Sequence, residues 1–226
     1  METGEEVFSS PYWSRYCSHL DDHRLVLIDH EKQLRVIDLE QMKEIVSIPT
    51  EFNESASVNR LHYMEDARNH YINIQRVDDH QRVGGVGGDR VFSNFASNPF
   101  LPTTDVVGLL IAVDKETGNR RWNRMLTSCS VVHTLYESPP FLTTLSWRMK
   151  QRVPNTRRLH IEALSQEDGN ILGDSDDFVP LDQLSQLFQV NYNRAAGYLE
   201  LNGPTYRARI NFNPARDREI LEPGPF

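Results

Sequence analysis

His19-Leu-Asp21-Asp22-His23 sets two imidazoles four positions apart with carboxylates between them, and Asp78-Asp79-His80 brings the same residue types together again. On a helix the first spacing would turn both rings to one side, as a pair of metal ligands requires. A catalytic zinc needs three protein ligands, and the chain has no H-E-x-x-H, so both stretches read as solvated His/Asp loops. Asp174-Ser-Asp176-Asp177 has carboxylates dense enough for calcium, but the glycine and closing glutamate of a calcium loop are out of register. These residues read as acidic turns. Gly84-Gly-Val-Gly-Gly88 lacks the Lys-Ser/Thr of a phosphate loop, and Arg90 stands where G-x-G-x-x-G needs its last glycine. It reads as a flexible loop.

Nucleophiles are no better marked. Cys17 and Cys129 lie far apart and outside any C-x-x-C or C-x-x-C-H, which leaves thioredoxin-like redox chemistry and haem attachment unsupported. A bridge between them stays open. No G-x-S-x-G elbow occurs. Arg148, Lys150, Arg152, Arg157 and Arg158, with Trp147 beside them, could meet an acidic partner. Cations guarding a strand edge are the commoner cause of such a run. We assign no catalytic, cofactor-binding or metal-ligating residue and expect no cofactor.

The elements that would position any chemistry are strands. Short apolar runs at residues 25–29, 34–38 and 44–48, separated by polar breaks, predict a meander. Further strands are expected at 58–64, 71–77, 106–126, 131–136, 141–148 and 158–164, with a last hairpin set at 188–192, 196–201 and 206–212. In the stretch 71–77, Tyr71, Asn73, Gln75 and Val77 alternate with Ile72, Ile74 and Arg76. A short helix opened by Pro180 is expected to run to Phe188, because Leu181, Leu184, Leu187 and Phe188 recur at helical spacing. Residues 78–105, rich in Gly and Pro, predict a long insertion or rim loop in a single domain spanning 1–226.

Composition narrows the class. The chain has 226 residues, 38% hydrophobic and 25% charged, which suits a globular core. A formal charge of −8 argues against a general nucleic-acid binder. The acidic start Met-Glu-Thr-Gly-Glu-Glu does not read as a signal peptide, and the longest apolar run, 106–113, is too short to span a membrane. A soluble protein is expected.

The most specific pattern is Ala112-Val-Asp114-Lys-Glu-Thr117-Gly118-Asn-Arg-Arg-Trp122. Gly118 suits the turn position that needs a positive φ, and Asp114 and Thr117 can accept from turn amides left out of the ladder. Ala163-Leu-Ser165-Gln-Glu-Asp168-Gly169 repeats it 51 residues later, and Val36-Ile-Asp38-Leu-Glu-Gln41-Met42 precedes it by 76. At the position of Trp122, these two copies carry Gly173 and Val46.

The intact copy resembles the A-x-D-x-x-T-G-x-x-x-W repeat of the pyrroloquinoline-quinone-type β-propellers. The marked residues are Ala112, Asp114, Thr117, Gly118, Trp122, Ala163 and Gly169. The resemblance implies an all-β fold, a β-propeller-like stack of antiparallel four-stranded blades. Blades of about 40–50 residues leave room for roughly four, an incomplete propeller or the C-terminal part of a longer one. It also implies that Trp122 docks on a neighbouring blade while the other copies use aliphatic packing. The family's dehydrogenases carry adjacent cysteines near the quinone, which Cys17 and Cys129 are not.

The expectation is therefore a non-catalytic scaffold with a protein partner, open to association through unpaired blade edges. The alternatives are a fragment of a quinoprotein dehydrogenase and a β-sandwich that binds carbohydrate or protein. The compartment stays open, with the bacterial envelope implied if the chain is a fragment of such a protein.

Overall fold

The computed structural model describes residues 16–21, 23–50, 58–76, 90–92, 103–132, 141–149, 156–180, 189–193, 195–202 and 207–211. Among these the regular structure is all strand, in antiparallel sheets, as the sequence predicts. The chain divides into two compact units, residues 1–80 with 107–125 and residues 81–106 with 126–226.

In the first unit, β1 (Tyr16–Asp21), β2 (Arg24–Ile28), β3 (Gln33–Asp38) and β4 (Lys43–Pro49) hydrogen-bond in chain order as a four-stranded meander. Pairing sets Val26, Val36 and Val46 in one cross-strand row and Ile28, Leu34 and Ile48 in the next, all on one face. β-Branched side chains fit such a pleated surface, and one buried face fixes the register.

The second sheet begins with β5 (Val58–Glu65) and β6 (Asn69–Arg76). In chain order there follow β7 (Arg90–Phe92), β8 (Thr103–Asp114), β9 (Arg120–Val132), β10 (Phe141–Met149), β11 (Thr156–Ser165) and β12 (Ile171–Pro180). The sheet order is β5-β6-β8-β9-β10-β11-β12, with β7 paired to β10. Pairing aligns Leu61, Ile74 and Leu109 in one row and Tyr63, Ile72 and Ile111 in the next. These rows pack with Val113 against the apolar face of the first sheet, forming the core of the unit. Burying each such aliphatic side chain contributes about 1.5–3 kcal/mol.

In the second unit, β13 (Gln189–Asn193), β14 (Tyr198–Asn202) and β15 (Arg207–Asn211) form a three-stranded sheet. It lies on the face of β10–β12 that carries Phe141, Leu145, Ile161 and Ala163. Phe141 meets Tyr192 edge-on at 6.0 Å between ring centroids. Gly173 brings β12 so near β15 that a Cβ there would lie 2.7 Å from Ile210 Cγ2 and 3.2 Å from the Asn211 carbonyl oxygen.

Several expectations change. β1 was not anticipated; it puts His19 in an extended strand opposite Leu25, so His19 and His23 do not share a helical face. Asp174, Asp176 and Asp177 lie along β12, opposite Glu162, His160 and Leu159, and not in a turn. Arg148, Arg157 and Arg158 occupy the pairing between β10 and β11, with further strands on both sides, and therefore guard no edge. Residues 90–92 and 103–105, expected in a long loop, are strand. The expected break at 127–130 is absent, since β9 runs unbroken from 120 to 132. β6 alternates as predicted, yet both of its faces are buried. Pro180 ends β12; the helix expected over 181–188, like Asp78-Asp79-His80 and the Gly84–Gly88 stretch, lies outside the described residues.

Candidate functional site

Every marked copy of the repeat falls on the connection between two adjacent antiparallel strands, β3 to β4, β8 to β9, and β11 to β12. In the intact copy, Asp114 Oδ1 accepts from the amides of Glu116 at 2.9 Å and Thr117 at 2.7 Å, and from the Thr117 hydroxyl at 3.0 Å. Gly118, at φ +70°, returns its N–H to the Asp114 carbonyl at 2.9 Å. Arg121 donates to Asp114 Oδ2. The turn amides, the Thr117 amide foremost, hold the Asp114 carboxyl below its ordinary range.

The other copies vary this device. Ser165 replaces the aspartate and accepts through Oγ from the Glu167 and Asp168 amides at 3.2 and 3.4 Å. Gly169 keeps φ +70°. Asp38 accepts from the Gln41 amide at 2.9 Å, and Met42 takes the positive φ, at 49°. A fourth example, absent from the sequence reading, joins β13 to β14: Asn193 Oδ1 accepts from the Ala196 amide at 2.8 Å and Gly197 has φ +72°. The shared spacing of four between the side-chain acceptor and the glycine was the signal that could have found it.

Ala112 and Ala163 are fully buried on their strands. Trp122 is 7% exposed and meets Tyr71 with ring centroids 5.9 Å apart. Tyr71 alternates with Ile72, so this contact lies on the face of the sheet turned away from β1–β4. Val46, in the equivalent place, belongs to the apolar core between the two sheets, while Gly173 makes the close approach to β15.

A second group of polar residues was not marked in the sequence. Pairing sets Arg24 opposite Asp38 on the first sheet, in line with the valine row, and Glu65 and Val113 beside His70 on the second. Both pairs end the apolar rows on the faces that pack together. Arg24 Nη1 lies 2.7 Å from Asp38 Oδ2. Tyr63 Oη is 2.9 Å from Glu65 Oε2 and 2.7 Å from His70 Nδ1, and Lys115 Nζ is 2.7 Å from the same Glu65 oxygen. The Arg24 charge also acts on Tyr63. Burial, then the neighbouring Lys115, hold the His70 imidazole below its ordinary value. Burial pushes Tyr63 up, and Glu65 adds to this. Burial would raise Glu65, but hydrogen bonds from Lys115 and Tyr63 outweigh it and leave the carboxyl low. These partners come from segments up to 91 positions apart, which is why spacing along the chain did not reveal them.

In the second unit Cys129 is a free, buried thiol. Burial raises its pKa, and Glu162 and Asp105 reinforce the shift, which suppresses thiolate chemistry. Among the described residues no group of His, Cys, Asp and Glu is placed to hold a metal ion. No helix among them is long and apolar enough to cross a membrane.

No family model and no curated protein matches the chain. Similar solved structures include BamB from Moraxella catarrhalis, 12% identical, covering 85% of this chain and 75% of that one with a TM-score of 0.20. The computationally designed Ika8 protein is 10% identical, covering 86% of this chain and 69% of its own, also at a TM-score of 0.20.

Proposed function

We propose that the chain is a non-catalytic β-propeller scaffold that mediates protein interactions. The observation that carries this reading is the commitment of the polar groups of the hairpin turns to the fold. Asp114, Asp38, Ser165 and Asn193 each spend side-chain acceptors on turn amides, at equivalent hairpin connections. A general base or nucleophile needs acceptor capacity aimed at a substrate, and these groups direct theirs to their own turn amides and, at Asp114 and Asp38, to Arg121 and Arg24. Four-stranded antiparallel meanders joined by such turns are the blade unit of a propeller. Successive blades bury apolar faces against each other, as the valine and isoleucine rows of the first unit do. Strands at sheet edges then offer backbone groups for a partner's strand.

The test is titration of the purified chain with pyrroloquinoline quinone and calcium, followed by an alcohol- or aldose-dependent dye-reduction assay. The scaffold reading expects neither saturable binding nor turnover. Saturable micromolar binding with turnover would replace it with a quinoprotein dehydrogenase.

A further inference from the structure

We propose that the Tyr63–Glu65–His70–Lys115 network is an acid-sensitive latch between β5–β6 and the β8–β9 turn, with His70 held as the neutral Nδ1–H tautomer. The tautomer follows from counting protons. The Tyr63 hydroxyl has one to give, and two candidate acceptors lie within hydrogen-bond reach, at 2.9 Å (Glu65 Oε2) and 2.7 Å (His70 Nδ1). Glu65, paired with Lys115, is a carboxylate and can only accept. The hydroxyl proton therefore goes to Glu65. His70 Nδ1 must in turn donate to the Tyr63 oxygen, since otherwise two lone pairs would face each other at 2.7 Å. That leaves Nε2 as the nitrogen that takes up a proton in acid.

The surroundings make this uptake costly. His70 is 7% exposed, at the end of the apolar rows between two packed sheets. Facing it are Tyr63 and Glu65 on β5, Asp66 in the β5–β6 turn, Lys115 in the β8–β9 turn and Arg24 on β2. An imidazolium would be a third cation beside Arg24 and Lys115, each of which already holds a carboxylate, Asp38 and Glu65, and Asp66 is the remaining acid near it. The folded state therefore takes up this proton less readily than the unfolded chain, consistent with the direction of the His70 shift. The contribution is present above the ordinary histidine value of about 6.5, and it is lost as pH falls from there toward the lowered folded value.

Two measurements on the full chain decide the matter. Long-range proton–nitrogen NMR of a histidine-labelled sample near neutral pH should show His70 Nδ1 protonated and Nε2 bare; the opposite tautomer would overturn the proposal. Urea melts across the slightly acidic range then compare the wild type with His70→Asn, whose amide nitrogen can take the place of Nδ1. The wild type should lose several-fold more of its folding constant than the variant on acidification. Equal losses would overturn the latch. If His70→Asn does not fold, NMR titration of the wild type decides: a His70 midpoint at or above the ordinary histidine range would overturn it.

Discussion

Gly118 and Met42 hold equivalent turn positions with opposite chemistry. A Cβ at Gly118 would meet nothing within 4 Å, so the obstacle to a side chain there is its φ of +70°, not space. Gly118→Ala should destabilise by about 1 kcal/mol, the cost of a left-handed conformation for a residue with a Cβ. Met42 already bears that strain at φ 49° and is partly exposed. Met42→Gly should therefore stabilise by up to about 1 kcal/mol. Urea midpoints of both variants test the pair; two shifts of the same sign would contradict it. Asp114 adds a pH prediction. Its folded carboxyl titrates below the unfolded one, so its contribution is present above the ordinary carboxylate range and is lost as pH falls through the folded value. Asp114→Asn should shrink the stability difference between neutral and strongly acidic solution, measured by the same melts.

Two strand positions carry the packing. Asn73, fully buried on β6, donates from Nδ2 to the carbonyls of Val107 at 3.1 Å and Leu109 at 3.2 Å, straddling Gly108 with its φ of +93°. Asn73→Ala should cost about 1–3 kcal/mol by leaving two buried acceptors short of a donor. A loss below a few tenths, read from chemical denaturation, would mean the carbonyls find other donors. Gly173→Ala should cost about 1–3 kcal/mol through overpacking against β15, and Ile210→Ala in the same chain should return part of that loss. Additive losses in the double-mutant cycle would contradict the contact.

The legibility of these elements followed the range of their contacts. The turns at 115–118 and 166–169 could be read because acceptor and glycine lie within one local stretch. β1 was missed because its mixed stretch, Tyr16–Asp21, lacks an apolar alternation, and β7 because a strand of three residues forms only when its partner, β10, is supplied from elsewhere in the chain. The Tyr63–His70 network was hidden for the same reason, although Glu65 and His70 flank one tight turn.

At the scale of the whole molecule, the account is that one hairpin device, repeated with substitutions, builds successive antiparallel meanders whose polar groups serve the fold. Trp122 is the single tryptophan kept among the marked copies; Val46 and Gly173 take its place in the others, so each copy meets its neighbours through a different residue. An experimental structure tests the propeller reading most directly. The account predicts that the sheets radiate about a common axis, with the β3–β4 and β8–β9 turns at equivalent places in successive blades. Sheets stacked face to face as a two-layer sandwich, with those turns at unrelated places, would contradict it.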